Sequence, residues 1–243
     1  IISYVQKELK KNNLRQWLII ETIRNSGLLG FVRKIIYKIV IFLKGKKIEA
    51  VLAIGWKTSD LLIKLGFNSN KVFPFSYFLE LPNITKSNIT QNDTFRFIFV
   101  GSIVRGKNLD LLIKSLYNLK NYNYELIVVG EGPLKKSLKK FGDNLLPNRI
   151  SWKGVLKMSE VTKFISCADC LVLPSKHDGW GAVVSEAMIA GVPAICSDAC
   201  GVADAGAVVS QSSQKKKLSQ SHCHVGLRSS IMANGVSLLT GPH

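Results

Sequence analysis

Apolar residues follow two alternating rhythms along this chain. Short, nearly unbroken apolar runs that suit buried strands fall at 17–22, 50–55, 96–100, 125–129, 150–153, 170–173 and 193–197. Residues 72–78 read as a further extended piece. Apolar positions at helical spacing predict helices over 28–43, 57–65, 109–119, 133–141 and 158–167, and a short one from about 181 to 191. Strand and helix alternate without an internal repeat. Neighbouring parallel strands need a long return between them, so this alternation predicts an α/β class with parallel sheets and crossover helices.

The rhythm breaks twice. Residues 79–94, rich in Asn, Ser and Thr, read as a linker between a first domain at 1–78 and a second at 95–206. The periodicity then fades at 207–243 into Ser, Gln and Lys, an atypical or truncated tail. The chain opens on Ile rather than Met, as if inside a domain, so it reads as a fragment of a longer protein.

Composition narrows the partners. In 243 residues, 47% hydrophobic content fits a globular protein, with length enough for real cores. Lysine and arginine number 33 against 16 acidic residues, a net charge of +17 that favours anionic ligands or surfaces. Without zinc-finger spacing or an aromatic–basic RNA signature, nucleic acid is not expected as a partner. The helix at 28–43 carries Arg33, Lys34 and Lys38, followed by Lys44, Lys46 and Lys47. It can pack with a solvated basic face, or lie on an anionic membrane. No signal peptide and no apolar run of about eighteen residues is visible, so a cytoplasmic place is expected, peripheral on the inner face of the membrane if the helix binds lipid.

Five cysteines stand at 167, 170, 196, 200 and 223. Cys167 and Cys170 have the spacing of a redox or zinc pair that Cys196 and Cys200 could complete. Cys170 and Cys196, however, occupy positions where buried strand residues belong, which favours packed, reduced thiols and no metal. His222, Cys223 and His224 form an isolated cluster with no assigned metal.

The most informative stretch runs from Pro174 to Asp198, reading PSKHDGWGAVVSEAMIAGVPAICSD. A buried strand enters a polar turn, a short helix follows, Gly191 stops it, and a second strand begins. Asp178 lies in the turn and Glu186 more than one turn into the helix. Gly179 and Gly181 leave the N–H groups near the helix start unobstructed, where the helix dipole favours an anion. The acids would repel that anion, so they are better placed to accept hydrogen bonds from hydroxyls on either side of it. A phosphate flanked by hydroxyl-bearing groups describes a nucleotide sugar.

At these residues the chain resembles the retaining glycosyltransferases of family 4, whose signature is Glu, seven residues, Glu, then Ala-Met and a Gly-x-Pro turn. Here Asp178 takes the first acid's place, one methylene shorter, ahead of Glu186, Ala187-Met188 and Gly191-Val192-Pro193. The resemblance implies a GT-B fold. A nearly complete C-terminal Rossmann-like domain would follow the second half of an N-terminal, acceptor-side Rossmann-like domain. Downstream of the strand at 96–100, Gly101, Arg105 and Lys107 match a glycine turn with the family's basic pair, which neutralises a departing diphosphate. Arg can grip phosphate as a fork and Lys as a point charge. Gly132, in Gly130-Glu-Gly-Pro133, matches a turn beneath the nucleotide, and Val155, in Trp152-Lys-Gly-Val155, a segment whose main chain meets the base.

The resemblance therefore implies transfer of a sugar, of hexosyl type, from a UDP- or GDP-sugar to a glycan or lipid-linked acceptor with retention, in cell-surface polysaccharide synthesis, without cofactor or metal. Asp178 would hold sugar hydroxyls, Glu186 the ribose, and the amides of Gly181, Ala182 and Val183 the diphosphate. Gly179 allows close approach of the donor. Trp180 can cover the donor or pack into the helix start. His177, beside Asp178, lines the site or is exposed. The alternative is a truncated module that binds a nucleotide without turning it over.

Overall fold

The computed structural model describes residues 7–9, 11–12, 14–23, 27–79, 94–203 and 208–209. Most of the expected linker and of the tail lies outside the described residues, as do Asn25 and Ser26 of a predicted loop, the side chains of Lys44 and Lys46, and the cluster at His222–His224. The chain divides into two compact units, residues 1–78 and 79–243.

In the first unit, strands β1 (Gln16–Glu21), β2 (Ile48–Ile54) and β3 (Val72–Phe75) form a parallel sheet in the order β1-β2-β3. Helix α1 (Gly27–Lys44) joins the first two strands and α2 (Thr58–Lys64) precedes the third. The extended piece predicted to reach residue 78 stops as a strand at Phe75, where its pairing with Ile54 ends. Val51, Leu62, Phe67 and Val72 make the core. The Thr58 hydroxyl donates to the Ile54 carbonyl at 2.6 Å, fastening the start of α2 to the end of β2. Helix α1 buries Ile41 but leaves Leu28, Leu29 and Phe42 about four-fifths exposed. Such a face is wider than packing on this small sheet requires. No helix among the described residues is long and apolar enough to cross a membrane.

The second unit holds β4 (Phe95–Val100), β5 (Tyr124–Val129), β6 (Ile150–Gly154), β7 (Cys170–Leu173), β8 (Ala194–Ser197) and β9 (Val208–Val209). All pair in parallel, in the order β6-β5-β4-β7-β8-β9. Helices α3 (Leu109–Tyr117), α4 (Lys135–Leu145), α5 (Met158–Ser166) and α6 (Ala182–Ile189) fill the crossovers. Helix α3 packs with α4, and α5 with α6. The chain steps one way from β4 to β6 and the other way from β7 to β9. Right-handed crossovers then put the two helix pairs on opposite faces. Both faces of the central strands are covered, which is why β7 reads as an unbroken apolar run and β4 as one interrupted only by Arg96 near its start. Ile98, Phe99 and Leu171 are wholly buried.

One helix departs from its expected bounds by several residues. The helix predicted over 133–141 starts later, at Lys135, and continues to Leu145 through Gly142. That glycine is tolerated because it is a close-packing point: a Cβ there would press on Ile150 and sit near Trp152. Helix α6 ends where the sequence signals it. Gly191 takes the left-handed conformation at φ 72°, and Val192 N–H donates to the Ala187 carbonyl at 2.8 Å.

Candidate functional site

In an open parallel sheet, loops leaving the carboxyl ends of strands gather at one edge, and a crevice opens where strand order reverses. Here the reversal falls between β4 and β7. The loop after β4 carries Gly101, Arg105 and Lys107, and the loop after β7 carries the turn with Asp178. The two segments singled out from sequence therefore meet at the switch point.

Glycines let these loops interlock. Gly130, at φ 134°, lies so near the Gly101 carbonyl that a Cβ would collide with it, and a Cβ on Gly132 would strike the carbonyl of Ile103. With no Cβ there, Ile103 N–H reaches the Glu131 carbonyl at 2.8 Å, and Gly130 N–H reaches the Gly154 carbonyl at 2.7 Å. Gly132 thus acts here through close backbone approach. Val155, next along, is largely exposed. Lys176 N–H donates to the Gly106 carbonyl at 2.8 Å, tying the loop after β7 to the basic turn. Asn108 closes that turn in the left-handed conformation, φ 57°, which asparagine tolerates better than most residues.

The basic turn (Arg105–Lys107) leaves Arg105 exposed and Lys107 half-buried. The Lys107 stem runs over Gly101, and its Nζ stands 2.5 Å from Asp178 Oδ2. Sequence reading had placed both residues at the site without foreseeing that they pair with each other.

Helix α6 begins at Gly181, whose φ of 90° would strain any side chain. Among the described residues, the amides of Gly181, Ala182 and Val183 donate to no protein acceptor, as the first turn of a helix requires. Trp180 is half-buried against the core and donates Nε1–H to Ser185 Oγ at 3.1 Å, so it packs the start of α6. His177 is half-buried in the same loop.

Glu186 is half-buried on α6, and burial pushes its carboxyl above the usual range. A group with a raised folded-state pKa binds its proton more tightly in the native state. Its contribution to stability is full below the unfolded pKa and is lost as pH rises through the folded one. Glu186→Gln is therefore expected to raise the urea midpoint at pH 7, with the gain shrinking towards pH 4. A gain that did not vary with pH would disprove this account.

One supporting segment escaped sequence reading. The loop after β8 braces the acidic turn: Asp178 N–H donates to Ala199 at 3.1 Å, and Val202 N–H to Trp180 at 2.8 Å. Gly201 crosses Gly179 closely enough that a Cβ would strike its carbonyl. A glycine four residues past the end of a buried strand was the available signal. Cys170 and Cys196 are buried in β7 and β8, as apolar strand positions should be, Cys200 is buried in this loop, and Cys167 is exposed. Burial, with Asp169 nearby, pushes the Cys170 thiol up to about 12. Cys196 is raised by its hydrogen bond to Cys200 and by burial, so it is an inert packing group.

The arrangement offers cations, free amides and a half-buried acid around one crevice, the chemistry of a polyhydroxylated phosphate ester. Comparisons with known proteins bear on the family. The profile of the family described as Glycosyl transferases group 1 matches residues 82–207. The uncharacterized glycosyltransferase MJ1607 of Methanocaldococcus jannaschii is 26% identical over 60% of this chain and 39% of its own length. The capsular polysaccharide biosynthesis glycosyltransferase CapM of Staphylococcus aureus is 28% identical over 76% of this chain and 51% of its own. This chain thus spans about two-fifths to half the length of these relatives. Among solved structures, Anabaena Alr3699/HepE in complex with UDP and glucose superposes with a TM-score of 0.64, at 15% identity, over 83% of this chain and 58% of its own.

Proposed function

The chain belongs to the group 1 glycosyl transferases, and its parallel sheets match GT-B structures over part of their length; from this we infer that its second unit is a nucleotide-sugar site for sugar transfer. The observation that carries the reading is the meeting of the basic turn at 105–107 with the acidic turn and helix start at 178–186, across the strand-order reversal.

The roles follow from the chemistry of each group. A nucleotide sugar reacts by breaking the bond between its anomeric carbon and the diphosphate oxygen, so negative charge grows on the leaving diphosphate. Arg105, Lys107 and the amides of Gly181, Ala182 and Val183 stabilise that charge where it develops. Groups fixed in advance need no reorganisation and lower such barriers by several kcal/mol. Glu186 accepts from the ribose hydroxyls and Asp178 from the sugar. Gly132 locks the loops after β4 and β5 beneath the donor, Gly179 lets the main chain approach it, Val155 offers main-chain contact to the base, and Trp180 holds the helix start in place. Because cations and amides supply the neutralisation, no metal is needed. HepE's complex with UDP and glucose supports a UDP-hexose donor, and CapM's capsular role supports a cell-surface glycan acceptor.

A second reading of the same site is a module that binds the nucleotide without transferring sugar. Calorimetry with UDP and GDP, run beside a transfer assay with UDP- and GDP-sugars, separates them. Binding with transfer supports the enzyme, binding alone supports the module, and failure to bind either nucleotide refutes both.

A further inference from the structure

Asp178 stands where the donor reading places a sugar contact, yet its carboxylate is already engaged with Lys107 at 2.5 Å. The two side chains are only 26% and 15% exposed, so solvent screens them less than a surface pair. Given the donor site proposed above, on which this inference depends, we propose that Asp178 is a specificity determinant. It sets the site against the free nucleoside diphosphate and in favour of the sugar-bearing nucleotide.

The charge count supplies the reason. In a nucleotide sugar both phosphates are esterified or bridged, and each carries a single negative charge. Once the sugar has left, the terminal phosphate gains an ionisable oxygen with a second pKa near 6, and so carries additional charge at neutral pH. That charge appears on the side where the sugar stood, which is the side of Asp178. Lys107 cannot fully offset it, because its own charge is balanced by the same carboxylate. The product therefore meets a like charge in a partly desolvated crevice, where the repulsion exceeds its value in water. The donor avoids it, since sugar hydroxyls occupy that place and donate to the carboxylate. Lys107 keeps further N–H donors for the bridging phosphate while it stays paired.

Geometry holds the two partners at this spacing. Lys176 N–H on the Gly106 carbonyl, at 2.8 Å, fixes the basic turn to the loop after β7. The hydrogen bonds of Asp178 N–H to Ala199 and of Gly201 N–H to the Asp178 carbonyl, each 3.1 Å, fix the acid's backbone from the other side. The carboxylate therefore cannot withdraw from an arriving phosphate by moving its main chain.

The test is calorimetric titration of the whole 243-residue chain with two probe pairs, UDP with UDP-glucose and GDP with GDP-mannose. Native protein is compared with Asp178→Asn, Asp178→Glu and Lys107→Met. Asp178→Asn is expected to tighten the free diphosphate about tenfold without tightening the sugar nucleotide, from loss of one like charge at close range. Asp178→Glu keeps the charge and should hold the native ratio of the two dissociation constants within about threefold. Lys107→Met should weaken both ligands. If Asp178→Asn weakens both equally, or leaves their ratio unmoved, Asp178 is a structural prop and the inference is overturned while the donor site stands. If the native chain binds none of the four probes, the donor site falls and the inference with it.

Discussion

Lys107→Met is expected to lower kcat/KM for sugar transfer by about 10²-fold, the usual cost of removing one preorganised group that faces developing charge. The side chain is held over Gly101 and against Asp178, so its ammonium is placed before any donor arrives. Its loss also leaves the Asp178 carboxylate half-buried without its cation, which adds repulsion to the missing attraction. Arg105 is exposed, and Arg105→Ala should cost less, about tenfold. Steady-state kinetics with the nucleotide sugar identified by screening checks both. In a chain that only binds, the same order should appear in UDP affinity. Unchanged kinetics and unchanged affinity in both variants would remove the basic turn from the mechanism.

Gly130→Ala should be the most damaging single-methyl change in the second unit, costing about 3 kcal/mol of stability. Two penalties coincide there. The backbone sits at φ 134°, where a side chain is strained, and the new Cβ would collide with the Gly101 carbonyl. The carbonyl cannot give way cheaply, since Gly101 N–H is itself bonded to the Val129 carbonyl at 3.0 Å. The loops after β4 and β5 would have to part, carrying the basic turn with them, so nucleotide affinity should fall with stability. Gly106→Ala is the control: open space surrounds that position, and stability should change by no more than about 0.5 kcal/mol. Urea unfolding of the two variants decides. A Gly130→Ala midpoint close to the control would show that the loops are not locked as described.

Much of this was legible along the chain because it is short-range chemistry. Continuous apolar runs marked strands buried on both faces, and Cys170 and Cys196 lay within two of them as the hydrophobic pattern required. Gly191 stopped α6 because a helix commonly ends on a residue with positive φ, which glycine adopts without strain. The turn from Pro174 to Gly181 marked the start of a short helix through its two glycines, which leave the first amides uncovered. Bounds were less legible: Gly142 argued locally for ending α4, and packing on Ile150 and Trp152 overrode it.

The sequence by itself determined the alternation of strand and helix, the strands' burial, the helix stop and which side chains are candidates for the site, because each is set by residues within a turn or two of one another. Only the tertiary structure decided that β4 and β7 lie side by side, and that Lys107 is bound to an acid 71 residues further along. It alone decided, too, that Gly201 braces Gly179. Those choices depend on which crossovers bury the most apolar surface, a sum over the whole sheet that no local window of residues contains.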